Sequence, residues 1–255
     1  MSKWDPRHYL QFERERTLPV RDLVSRIELQ SPSTIVDLGC GPGNSTAVLA
    51  KRWPDASIIG VDSSAEMLTQ ARESSVRAKW ILADIREWQP DNSVDLVFSN
   101  AALQWVSLHE IEIPRLFNLV AKHGALAFQI PTHTDLWFEV LEKIVMSPVW
   151  RDKFLKGTSE FYSYELGFYY DLLSGQSKRL DLWETRYFHV LSSPEAIVEW
   201  TQGTALRPLF DRLSDSSLRE TFVKQYTEEI ASSYPRQPDG NVLFPFLRRF
   251  VIAYR

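Results

Sequence analysis

Residues 35–46 read IVDLGCGPGNST, a short apolar run that closes on an acid and is followed by three glycines within five positions. The whole chain of 255 residues holds only 10 glycines, so their concentration here needs a reason. A strand ending near Asp37 that turns through Gly39, Gly41 and Gly43 into a helix from about Asn44 brings bare backbone against a ligand. Glycine accepts positive φ and leaves no side chain in the way. The alternative is a tight strand-to-helix turn with no ligand, which needs fewer glycines.

The spacing narrows the choice of ligand. A phosphate loop ends in Gly-Lys-Ser/Thr, and Asn44-Ser45 carries no such charge. A dinucleotide loop reads G-x-G-x-x-G, whereas this one reads G-x-G-x-G with an acid two residues before it. Nucleoside triphosphates and NAD are therefore disfavoured. Asp62 closes the next apolar run, IIGVD, where a carboxylate can accept both hydroxyls of a ribose; Ser63 follows it. Asp84 closes KWILAD, and with the Ile85 backbone and the apolar Met67 it suits an adenine ring. Taken singly, each acid is an ordinary strand-end or capping residue. Three in register with one glycine loop read as a nucleoside edge.

Outward from the loop, β-branched runs alternate with helical patterns up to about residue 130, the signature of a parallel sheet with helices on both faces. Beyond Pro131 the chain turns to aromatic-rich helices, with RLDLWETRYFHV as a strand from about 179 and FPFLRRFVIAYR as the last strand. Phe222, Tyr226 and Ile230 share an i,i+4 stripe with Leu218. This predicts an N-terminal helical lid over 1–30, a nucleoside-binding core over 31–131, helical insertions at 132–178 and 192–240, and final core strands at 179–191 and 241–255.

With 44% hydrophobic residues, 24% charged residues and a formal charge of -4, the chain is an ordinary globular one without a basic footprint for nucleic acid or an anionic membrane. No run approaches the roughly 18 apolar residues that span a bilayer, and the start lacks a signal-peptide core. A cytoplasmic protein, monomeric by default, is expected. One cysteine, Cys40, excludes an internal disulfide framework, and no Cys/His spacing suggests a metal.

The glycine loop and its three acids resemble the class I S-adenosylmethionine-dependent methyltransferases. Further segments, WDPRHYLQFERERTLP, DSSAEML, ADIREWQP, SNAALQWV and AIVEWTQGTALRPLF, extend a likeness to the trans-aconitate 2-methyltransferase family through nearly the whole chain. The resemblance implies a Rossmann-like α/β fold with a mostly parallel seven-stranded sheet and a helical cap over the acceptor. It implies S-adenosylmethionine as cofactor, S-adenosylhomocysteine as its product, and a carboxylate monomethyl ester. Asp37, the three glycines, Asp62, Ser63, Met67, Asp84, Ile85 and Asn100 are then cofactor contacts. Where the family has Pro-Asp-Asn after its fifth strand, this chain has QIPTHTDLW, with Thr132 and His133 in those places.

A carboxylate of pKa about 4 is ionised at neutral pH, so no general base is required. Orientation of the acceptor supplies the catalysis, on the order of 7–11 kcal/mol in favourable cases. A polyacid acceptor calls for cations. Arg207, after a helix and before Pro208, is the first candidate, against a plain surface or C-capping arginine. Arg16, Arg248 and Arg249 are weaker candidates, each weighed against the solvated arginine that terminal strands and helices often carry. Tyr9, Trp105, His133, Tyr169 and His189 complete the acceptor candidates, each against a structural role. Competing readings are carboxyl methylation of another acid, such as a carrier-bound acyl chain, methylation of a neutral group with His133 as base, and a noncatalytic cofactor-binding module.

Overall fold

The computed structural model describes residues 13–154, 161–203, 205–213 and 215–255, with the side chains of 13, 14, 207 and 208 set aside. Tyr9 lies outside the described residues.

The described chain forms, in order, α1 (Glu13–Arg26), β1 (Thr34–Leu38), α2 (Asn44–Arg52), β2 (Ser57–Asp62), α3 (Ala65–Glu73), β3 (Lys79–Leu82) and β4 (Val94–Asn100). There follow a 3-10 turn (Leu103–Trp105), α4 (His109–Asn118), β5 (Val120–Pro131), α5 (Leu136–Val145), α6 (Leu166–Leu173) and β6 (Arg179–Leu191). The last elements are α7 (Pro194–Gln202), α8 (Arg207–Arg212), α9 (Ser216–Ser233) and β7 (Val242–Tyr254). One sheet runs β3-β2-β1-β4-β5-β7-β6. β1 to β5 pair in parallel, and β7 is antiparallel to β5. This is the mostly parallel, Rossmann-like α/β sheet that the resemblance implies. Strands such as β1 and β4 are apolar almost throughout because helices cover both faces.

Two compact units share the chain. The larger comprises Arg16–Pro131, Phe161–Thr185 and Arg248–Arg255. On one face of its sheet Val36, Leu38, Val97, Leu126, Phe128 and Val251 join Ile113, Leu116 and Phe117 of α4 and Tyr169 and Leu173 of α6 in one core. Helix starts follow local chemistry: Ser64 caps α3 by accepting from the Met67 amide at 3.2 Å. The second unit includes the described parts of Thr132–Glu160 and Arg186–Leu247. Its own core joins Trp137, Trp150, Phe154, Trp200, Phe222, Tyr226, Phe244 and Phe246, and the Trp150 indole donates to Gln225 at 2.7 Å.

The compact units divide the chain otherwise than the expected segments: residues 186–191 and 241–247, expected among the final core strands, fall in the second unit. From Arg16 on, α1 belongs to the sheet-bearing unit: Val20, Leu23, Val24 and Ile27 are buried, and the Glu28 amide donates to the Tyr254 hydroxyl at 3.0 Å. Residues 161–178 also belong to that unit and not to an insertion, because Tyr169 and Leu173 are drawn into the sheet core. Arg248 and Arg249 are buried, at 7% and 4% exposure, since β7 is an interior strand between β5 and β6.

Candidate active site

The strand order reverses direction at β1 and β4, and in open parallel sheets ligands bind outside the carboxyl ends of the strands at such a point. The glycine loop leaves β1 there. Gly39, Gly41 and Gly43 all have positive φ, of 72°, 54° and 93°. A β-carbon on Gly39 would overlap that of Ala102, whereas one on Gly41 would meet nothing within 4 Å. The first glycine is thus required by packing, and the second leaves open backbone. The amides of Gly39 and Cys40 both donate to Val61 O, at 2.8 and 3.0 Å, which ties the loop to β2.

Asp37, the last acid before the loop, is fully buried. Its Oδ2 accepts from the hydroxyls of Ser45 and Thr46, both at 2.7 Å, at the start of α2. Its Oδ1 is buried with no partner. Burial pushes its carboxyl up to about 6 against the two hydroxyl bonds. A buried carboxylate with one satisfied and one orphaned oxygen fits an ammonium group such as that of an amino-acid ligand. Burial, with Asp37 and Asp62 nearby, raises the Cys40 thiol, which therefore stays protonated and inert.

Asp62 has a dual task. Its Oδ2 accepts from the Gly41 amide and its Oδ1 from the Ser64 amide, both at 2.8 Å. The carboxylate therefore fixes the loop and the entry to α3 while each oxygen keeps a lone pair for a hydroxyl. Ser63 beside it is exposed, and Met67 is half-buried one turn into α3. Asp84 is held by a fork from Arg86, Nε to Oδ1 at 3.0 Å and Nη2 to Oδ2 at 2.6 Å, which lowers its pKa. Ile85 reaches towards Gly39, its Cδ1 lying 3.5 Å from where a β-carbon would stand, and its carbonyl accepts from Arg115 at 2.6 Å.

The ends of β4 and β5 build the next part. Asn100 closes β4 with its Oδ1 buried and unpartnered. Ala101 follows at φ 52°, an uncommon conformation for a side-chain-bearing residue, and its amide donates to Gln129 O at 3.0 Å. That kink sets Ala102 against Gly39. Gln129 on β5 is paired in register with Asn100, is wholly buried, and has neither end of its amide satisfied. The sequence reading missed it. Its signal was present: an amide in the middle of the apolar run ALAFQIP.

The acceptor candidates are divided between the two units. Trp105 is 42% exposed and meets Phe161 edge-on at 5.6 Å. Tyr169 is buried in the core of the sheet-bearing unit, with its hydroxyl 2.9 Å from His109 Nδ1. His189 lies in the core of the second unit, its ring stacked on Trp200 at 4.8 Å. His133 lies just past β5, its ring 5.2 Å from that of Phe138. Arg16 is half-buried on α1. Arg207 opens α8 rather than capping the end of a helix. Among the described residues, no group of His, Cys, Asp and Glu has the makings of a metal site, and no helix is long and apolar enough to cross a membrane.

Comparison with known proteins adds the following. The methyltransferase domain family matches residues 35–124. The trans-aconitate 2-methyltransferase of Azoarcus sp. (strain BH72) is 41% identical over 255 residues, covering 100% of each chain. The enzyme of the same name from Rhodopseudomonas palustris (strain HaA2) is 43% identical over 258 residues, again covering 100% of each. Among solved structures, the YcgJ protein of Bacillus subtilis superposes with a TM-score of 0.58 at 13% identity, covering 95% of this chain and 98% of that one, which shows the shared fold.

Proposed function

The chain belongs to the trans-aconitate 2-methyltransferase family, and from that premise we propose that it methylates one carboxylate of trans-aconitate or a closely related small polyacid. The observation that carries this reading is likeness along the full length of relatives so named, at 41% and 43% identity. The cofactor is S-adenosylmethionine. When bound, it supplies an electrophilic methyl group, whose transfer to a carboxylate oxygen breaks a C–S bond, forms a C–O bond and leaves a neutral thioether.

The residues present suit that ligand. Asp37 Oδ1 is an orphaned buried acceptor for its ammonium, Gly41 offers open backbone, and Asp62 keeps lone pairs for the ribose. Asp84 and the Ile85 amide serve the adenine, with Met67 and Ser63 along its edge. Asn100 stands between cofactor and acceptor.

The acceptor is already an anion at neutral pH, so this chain has no proton to remove. Its work is to hold an oxygen in line with the methyl group and to exclude water. Arg207, Arg16, Trp105 and His133 remain acceptor contacts to be tested. We place the enzyme in the cytoplasm as a monomer. Incubation with labelled S-adenosylmethionine across a panel of small carboxylic acids, followed by mass spectrometry, tests the reading. A base-labile monomethyl ester of trans-aconitate is expected. Cofactor binding without turnover on any polyacid would overturn it.

A further inference from the structure

We infer that Gln129 and Arg248 form the subsite that holds a carboxylate of the acceptor. The inference rests on the proposed polyacid substrate and adds the residues that would recognise it.

Gln129 is 0% exposed, and both its Oε1 and its Nε2 are buried without a partner. Polar atoms left unpaired in a sheet interior destabilise the fold, and methionine or leucine would fill the same space without that penalty. The amide is therefore of use to something other than the fold. Its neighbours say what. Across the parallel pair it faces Asn100, whose Oδ1 is likewise unpartnered. Across the antiparallel pair it faces Phe250, and Arg248 faces Pro131. Because side chains alternate along a strand, Gln129 and Arg248 lie on the same side of the sheet.

That side also carries Asp37, which pairs with Phe98, two residues before Asn100. The carboxyl edge thus runs Asp37, Asn100, Gln129, Arg248: a buried acid, two amides and a buried cation, on a diagonal that crosses three strand spacings, roughly 14 Å, and rises two residues from Asp37 to Asn100 and two more from Gln129 to Arg248. A ligand pair with an ammonium at one end and a carboxylate at the other matches this order of charge. Gln129 Nε2 donates to the acceptor carboxylate, and the Arg248 guanidinium balances its charge. Arg249, next along the strand, faces the other side, where Glu165 and Glu184 bind it. It is not part of the subsite.

The test uses three variants of the full chain: Gln129→Met, Gln129→Glu and Arg248→Lys. Melting temperature, S-adenosylhomocysteine affinity by calorimetry, and KM for trans-aconitate are measured for each. For Gln129→Met we expect an unchanged or raised melting temperature together with a kcat/KM lower by about ten- to a hundredfold. Gln129→Glu, which sets one carboxylate against another, is expected to lose more, with S-adenosylhomocysteine affinity within about threefold of wild type; Arg248→Lys, which keeps the charge without the fork, is expected to lose less than Gln129→Glu. A lower melting temperature for Gln129→Met with an unchanged KM would overturn the subsite and make the amide structural. If wild-type protein binds S-adenosylhomocysteine but turns over no polyacid, the proposed substrate fails and the subsite falls with it. Active wild type with an unimpaired Gln129→Glu variant sinks the subsite alone.

Discussion

Ala102 occupies the space that a side chain at Gly39 would need. The two residues come from the ends of β1 and β4, and the contact is made possible by the left-handed turn at Ala101, φ 52°. Packing and backbone conformation therefore both fix Gly39. We expect Gly39→Ala to destabilise the protein by roughly 2–5 kcal/mol, from overpacking plus the positive φ. A urea titration measures this, and cofactor affinity is expected to fall as the loop is displaced. Gly41→Ala, which meets no neighbour, loses only the smaller strain of about 1–2 kcal/mol. Equal losses at the two glycines would contradict this account.

The second prediction concerns pH. Asp37 has its carboxyl raised to about 6 from 3.8 by burial. Between these values the folded chain holds a proton that the unfolded chain has released, so stability contributed by this group falls as pH rises from about 4 to 6. Asp37→Asn should abolish that slope and leave the ligand-free protein at least as stable as wild type at pH 8. An ammonium ligand needs the charged carboxylate. Its affinity should weaken about tenfold per pH unit below 6 and be lost from the Asn variant. Calorimetry with S-adenosylhomocysteine from pH 5 to 8 reads this directly, and a flat affinity across the range would remove Asp37 from the amine site.

Much of this was legible in the sequence because it is written locally. Alternating β-branched and helical runs mark out β1 to β5, and the spacing of Asp37, Gly39, Gly41, Asp62 and Asp84 places all five at the carboxyl ends of neighbouring strands. Residue placements that depend on pairing between distant segments were not legible. Whether Arg248 is solvated depends on β7 lying inside the sheet, which is decided by β6 at its outer side. The burial of Tyr169 depends on His109, 60 positions away. Asn100 could be singled out from the sequence and Gln129 stood out as an amide in an apolar run, but that the two face each other follows only from the register of β4 and β5.

The His109–Tyr169 pair gives the third prediction. Leu103 O can only accept, so His109 Nε2 carries the proton donated to it at 2.9 Å, and Nδ1 accepts from the Tyr169 hydroxyl at 2.9 Å. Burial lowers the imidazole pKa, in keeping with a neutral ring. Tyr169→Phe leaves Nδ1 buried and unpaired, and is expected to cost about 1–3 kcal/mol of stability. Acceptor KM should not change, because the hydroxyl never reaches the sheet's carboxyl edge as a free group. Chemical denaturation with parallel kinetics checks both halves, and a large KM effect at constant stability would return Tyr169 to the acceptor site.

Arg249 supplies the last prediction, by contrast with the residue before it. Its guanidinium donates from Nε to Glu184 at 2.8 Å, from Nη1 to Tyr164 O at 2.9 Å, and from Nη2 to Glu165. The arginine side chain is 5% exposed, while Glu184 and Glu165 are 39% and 74% exposed. Removing the cation therefore lets both acids return to water, and no charge is stranded in the interior. A buried pair with one such partner is usually replaced by an apolar side chain at little cost. Around Arg249 the face is already apolar, with Ile130 opposite it and Val251 two residues on. Arg249→Met is thus expected to lose only about 1 kcal/mol, chiefly from the undone bond to Tyr164 O. Arg249→Ala, which also opens a cavity, should lose about 2–4 kcal/mol. Neither variant should alter KM for trans-aconitate, whereas Arg248→Met should raise it. Urea midpoints and Michaelis curves for the three variants separate a strut from a binding group, and a KM effect at Arg249 equal to that at Arg248 would show that the strand does not divide their roles by face.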